Sequence, residues 1–143
     1  MPDTPPPERG VERTLPEAVG LNAEFYGHCA TGRLHIQRCS DCAAWRHPPR
    51  YRCPECGSDA WTWEPSSQRG RVYTWTITHR AVDPFFADRI PYAVVVVETE
   101  EGVRLVGNTS GIGNDDLALD LPVRIHLVPV DDRVALLEFG PGS

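Results

Sequence analysis

From Gly70 to Arg80 the side chains alternate. Tyr73, Trp75, Ile77 and His79 fall on one face, with Val72, Thr74, Thr76 and Thr78 on the other. A period of two is that of a β-strand. Tyr92–Glu98 is a β-branched run and Val103–Asn108 a second apolar stretch, with a turn at Thr99–Gly102 between them, so the two read as a hairpin. Val123–Val130 and Val134–Phe139 give two more strands around the Asp131-Asp132 turn. Ser110–Leu119 carries Gly111 and Gly113 and then a helical turn at Asp115–Leu119. Upstream the period changes. Asn22–Ala30 reads as a short helix with Asn22 as its cap and Phe25 and Tyr26 on its apolar side, ended by Gly32. Met1–Pro16 holds five prolines among charged residues and reads as a disordered arm or an interdomain linker.

The predicted fold class is mainly β: an N-terminal helix, a small ribbon, then a five-stranded barrel. Five strands with a small helical insert after the third fit the oligonucleotide/oligosaccharide-binding (OB) fold. The expected division is an arm over 1–20, helix and ribbon over 21–66, and the OB barrel over 67–143.

The cysteines add chemistry to this outline. Cys39 and Cys42, then Cys53 and Cys56 after ten intervening residues, form two C-x2-C pairs. Each pair can fold into a knuckle that presents two thiolates to one metal, and four thiolates complete the tetrahedral set favoured by structural zinc. One zinc ion is expected; rubredoxin-style iron and a pair of disulfides are the alternatives. Disulfides would need an oxidising compartment, and the N-terminus has no apolar export core, so the expected location is the cytoplasm. No apolar run nears the ~20 residues of a membrane span. A closed shell of four sulfurs leaves no open position, so the metal is not expected to be catalytic. Cys29, the fifth cysteine, lies at the end of the predicted helix and reads as a buried apolar residue. The Zn²⁺ tetrathiolate carries a net charge of −2, which Arg38, Arg46, Arg50 and Arg52 can offset.

Charge excludes more. The 143 residues carry 14 basic side chains, all arginine, against 20 acids. Without lysine there is no Schiff base to a carbonyl and no Walker A lysine. From Glu98 to Glu138 nine acids face three arginines, which offers no continuous basic surface for nucleic acid. A single-stranded nucleic-acid module with Tyr73 and Trp75 as stacking platforms is the alternative function. The five histidines are scattered singly and no catalytic residue is identified. In the polar connection Ala81–Pro91, Phe85 and Phe86 are either tucked beneath the loop or offered to a partner.

Several stretches carry a wider likeness: Phe25-Tyr26-x-His28, Gly32-Arg33-Leu34, Gln37-Arg38-Cys39, His47-Pro48-Pro49-Arg50, Cys53-Pro54-Glu55-Cys56-Gly57, Gly70-Arg71-Val72-Tyr73, Pro91-Tyr92, Gly102-Val103-Arg104-Leu105 and Leu121-Pro122-Val123. In this order, over Leu21–Phe139, they resemble the family of rubredoxin-like zinc ribbons followed by an OB-fold that is associated with acyl-CoA metabolism. Two positions depart from its pattern: Ala43 and Asp120 stand where glycine is usual, and Ala43 is expected to weaken one amide-to-sulfur hydrogen bond. The resemblance implies a non-catalytic accessory subunit. It would bind a thiolase-superfamily enzyme, help form its acyl-CoA site, and take part in retro-aldol cleavage of a CoA thioester in steroid side-chain degradation, with acyl transfer in an acyltransferase complex as the alternative. It also implies a link to an enoyl-CoA hydratase subunit; on charge and hydropathy, neither nucleic acid nor membrane is an expected partner. On this reading Arg46 and Arg50 are the candidates for the CoA phosphates, and Trp75, Phe85, Phe86 and Tyr92 for the interface or channel wall.

Overall fold

The computed structural model describes residues 13–142. Most of the expected arm, residues 1–12, therefore lies outside the described residues. The helix α1 spans Leu21–Ala30, and its buried residues Leu21, Phe25 and Cys29 recur every fourth position, which puts them on one face. Asn22 does not cap it. The N-cap is Gly20, with φ of 57° and no side-chain cap, and Asn22 lies in the first turn with its own N–H on Val19 O at 3.2 Å.

Three short strands follow: β1 (His35–Cys39), β2 (Trp45–Arg46) and β3 (Trp61–Pro65), antiparallel in the order β2-β1-β3. Central β1 is covered on both sides, so neighbouring Ile36 and Gln37 are both fully buried. Segment 66–68 then joins ribbon to barrel under heavy restraint. Ser66 Oγ donates to Glu101 Oε1 at 2.6 Å, Gln68 Nε2 to Ile125 O at 2.9 Å, and Leu34 N to Gln68 Oε1 at 3.1 Å.

The barrel is built from β4 (Arg69–Thr78), β5 (Tyr92–Thr99), β6 (Arg104–Thr109), β7 (Pro122–Pro129) and β8 (Ala135–Pro141). It closes in the order β4-β5-β6-β8-β7, all pairs antiparallel except β6 with β8. This closed five-stranded mixed barrel is the OB-fold that the strand order predicts. One expectation about β4 fails. Val72 pairs with Val97 and Thr74 with Val96, which leaves Tyr73 as an extra, bulged residue. A bulge inverts the alternation. Val72 therefore shares the inward face with Trp75 and Ile77, while Tyr73 is turned outward and is 45% exposed. The expected helical turn at Asp115–Leu119 is a 3₁₀ turn at Asn114–Asp116.

Helix, ribbon and barrel share one core. Phe25, Cys29, Leu34 and Ile36 pack in the same cluster as Val72, Val95, Leu105 and Phe139.

Candidate metal centre and partner surface

The two cysteine pairs fold as copies of one local motif, Arg-Cys-x-x-Cys-(Ala/Gly). In the first, Ala43 N donates to Cys39 O at 3.0 Å and Cys39 N to Ala44 O at 2.9 Å. In the second, Gly57 N donates to Cys53 O and Cys53 N to Ser58 O, both at 2.9 Å. Such turns require positive φ at the residue after the second cysteine: 63° at Ala43 and 77° at Gly57. The preceding arginines complete the match, Arg38 Nε donating to Ala43 O at 3.0 Å and Arg52 Nη1 to Gly57 O at 3.1 Å. Ala43 costs no amide-to-sulfur bond, contrary to expectation. The amide that faces the Cys42 sulfur belongs to Ala44, just as that of Ser58 faces Cys56.

The four sulfurs meet at one point. All lie within 4.8 Å of one another, with Cys39–Cys56 and Cys42–Cys53 Sγ separations of 3.6 Å. A tetrahedral site with Zn–S near 2.3 Å requires sulfurs about 3.8 Å apart, so the cluster fits such an ion. The Cys42 amide, helped by the Asp41 amide and opposed by desolvation, leaves the Cys39 thiol lowered to about 6, and the Cys56 amide is the main cause lowering Cys53. Amides aimed at sulfur favour the thiolate form that binds metal. Among the described residues this is the one His/Cys/Asp/Glu group placed to hold a metal. Cys29 is buried in the core, where burial pushes its thiol up to about 12, as expected of an inert residue.

Arg46 does not suit the phosphate role expected of it. Only 5% exposed, it donates through Nε to Gln37 Oε1 at 2.9 Å and through Nη2 to Arg50 O at 2.8 Å. Gln37 Oε1 also accepts from Arg50 N at 2.7 Å. Gln37 and Arg46 thus form a buried clamp that holds the Pro48–Arg50 turn. Polar side chains buried this deeply are kept by such hydrogen bonds. The Arg50 side chain is exposed.

The proposed wall residues are not all together. Phe86 stacks on Tyr92 with centroids 4.4 Å apart and meets Phe85 edge-on at 5.1 Å, so these three form one half-buried cluster. Trp75 is packed against the barrel core. Sequence reasoning missed Arg13. Its guanidinium lies 5.5 and 5.4 Å from the Phe85 and Phe86 ring centres, and Thr14 N donates to Asp83 Oδ2 at 3.3 Å. The chain just before α1 is thereby laid over the loop. An arginine in a Pro-rich, charged stretch gives no signal of this in sequence.

The family described as "ChsH2, rubredoxin-like zinc ribbon domain" matches residues 27–62, and "ChsH2, C-terminal OB-fold domain" matches residues 63–128. The chain belongs to the ChsH2 zinc-ribbon and OB-fold family. Two of the curated relatives are longer. A probable enoyl-CoA hydratase alpha subunit of Thermomonospora curvata is 38% identical over 120 residues, which are 84% of this chain and 37% of that protein. The 3-oxo-4,17-pregnadiene-20-carboxyl-CoA hydratase alpha subunit of Mycobacterium tuberculosis is 30% identical over 117 residues, again 37% of its length. The chain therefore spans little more than a third of these relatives. Among solved structures, a chain of the "Ltp2-ChsH2(DUF35) aldolase" superposes with a TM-score of 0.81 at 36% identity, covering 90% of this chain and all of that one. The chain is thus a ChsH2/DUF35-type subunit with a zinc-ribbon metal site. Among the described residues no helix is long and apolar enough to cross a membrane.

Proposed function

We propose that this chain is a non-catalytic accessory subunit that binds a thiolase-superfamily enzyme and lines its acyl-CoA site. The reaction served is retro-aldol cleavage of a CoA thioester in steroid side-chain degradation. The observation that carries this reading is the likeness, over 90% of its length, to the ChsH2(DUF35) chain of an aldolase named for two components. The relative named for a pregnadiene carboxyl-CoA substrate supports the steroid context, and both hydratase relatives support an enoyl-CoA hydratase module in the same assembly. Reduced thiols, needed to hold one structural zinc per chain, fit a cytoplasmic setting.

A retro-aldol step needs a base for the hydroxyl proton and a group to stabilise the enolate. With no lysine, this chain offers no imine route. Its four-sulfur shell has no vacant ligand position. The acid–base chemistry therefore belongs to the partner. This chain supplies the aromatic cluster Phe85, Phe86 and Tyr92 at the contact, and Arg50 for the CoA phosphates, whose oxygens a guanidinium can bind in pairs. Arg46 and Trp75 act from within the fold, the first by holding the Arg50 turn.

The test is co-expression with the thiolase-like partner. Phe85→Ala or Phe86→Ala should weaken the complex by roughly 1–3 kcal/mol without loss of zinc. Arg50→Ala should leave assembly intact and raise KM for the CoA ester. Failure of the wild-type chain to bind the enzyme would overturn the proposal.

A further inference from the structure

Strand β6 sends alternate side chains outward, and past Arg104 the next two are Val106 and Asn108, with buried Leu105 pointing in. Val106 is 61% exposed although it ends a cross-strand row with Thr74 and Val96. A cation is fixed at each side of it. Arg104 lies 3.8 Å from the centre of the Tyr73 ring, with its Nε 3.6 Å from Glu98. At the other side Arg13 Nη2 donates to Asn108 Oδ1 at 3.1 Å while its guanidinium covers the Phe85 and Phe86 rings. The two anchor points lie four positions apart along the strand, a span of about 13 Å. A groove of about 410 Å³ opens here between β6 and β8 and the Pro48-Pro49 turn.

We propose that this groove is the seat for a segment of the partner enzyme. An apolar side chain of that segment would cover Val106, and flanking carboxylates would reach Arg13 and Arg104. The inference rests on the accessory-subunit reading for the existence of the partner. Charge selects the occupant. In a chain of net charge −6 this floor is bounded by arginines, and complementary charge steers association and fixes register. Arg104 is already held over the Tyr73 ring and Arg13 by its bond to Asn108, so little side-chain freedom is lost when a carboxylate binds their remaining donors. The seat is also continuous with the Phe85–Phe86 loop through Arg13.

The experiment measures the affinity of the purified chain for the thiolase-like enzyme, with Val106→Glu and Arg104→Glu compared with wild type. Both substitutions change exposed side chains, so zinc content and far-ultraviolet dichroism should be unchanged, and either variant suffices if the other misfolds. Val106→Glu should raise Kd roughly 30-fold or more. Arg104→Glu should slow association and flatten its dependence on salt. Wild-type affinity in both variants would overturn this seat while leaving the accessory function standing. No binding by the wild-type chain would overturn that function and this seat with it. Self-association of the chain that Val106→Glu abolishes, seen by sedimentation without the enzyme, would make the occupant a second copy and overturn the proposal.

Discussion

At the scale of single residues, the two departures from the family's glycines have one physical cause. Ala43 and Asp120 both have positive φ, 63° and 62°. A side chain in that region strains the backbone, while glycine occupies it freely and aspartate more readily than most. Asp120 also has Arg71 Nε at 3.7 Å from its Oδ1. Ala43 has no such compensation, and its equivalent in the second knuckle is Gly57. Replacing Ala43 with glycine should therefore stabilise the chain by about 0.5–1 kcal/mol, and Gly57→Ala should destabilise it by a similar amount. Thermal unfolding of the two variants beside wild type measures both.

At the scale of elements, the packing of α1 on the Pro48-Pro49 turn depends on a neutral imidazole. The His47 ring lies 4.9 Å from that of Phe25, and burial holds its pKa down at about 4. An unfolded histidine titrates near 6.5. Between these values the folded state binds fewer protons than the unfolded state, so stability rises with pH across that window. The contribution is complete above 6.5 and is lost as the pH falls toward 4. From pH 7 to pH 5 the wild type should lose about 1–2 kcal/mol more than His47→Gln. Urea unfolding of both proteins in excess zinc at each pH measures this difference, and any weakening of the thiolate site by acid is common to both. An equal loss in the two proteins would show that His47 is not the titrating group.

At the scale of the whole molecule, the metal site and the barrel should not behave as separate units. Leu34 and Ile36 of the ribbon lie in the same core as Leu105 and Phe139, and segment 66–68 is bonded to both sides. Cys53→Ser removes one of four ligands from a ribbon with little core of its own, so folding and metal binding are coupled there. Metal analysis of the wild type purified without chelator should give one zinc per chain, and of Cys53→Ser far less. The variant's thermal midpoint should fall for the barrel as well as for the ribbon. A barrel that melts at the wild-type temperature would show that the shared core does not transmit the loss.

The sequence by itself determined whatever depends on near neighbours. The spacing of Cys39, Cys42, Cys53 and Cys56 specified the metal ligands, because a knuckle closes within five residues. Alternation located the barrel strands to within a residue or two, because side-chain direction repeats every second position. Tertiary structure decided what depends on distant contacts. The bulge at Tyr73 reversed the faces of β4, because pairing with Val96 and Val97 and closure of the barrel set its register. Arg46 went from a presumed phosphate ligand to a buried clamp, because Gln37, nine residues earlier, meets it across β1 and β2. Arg13, 95 residues from Asn108 in sequence, joined the surface of the Phe85–Phe86 loop because the fold brings them together. No local pattern of residues encodes a pairing across that separation.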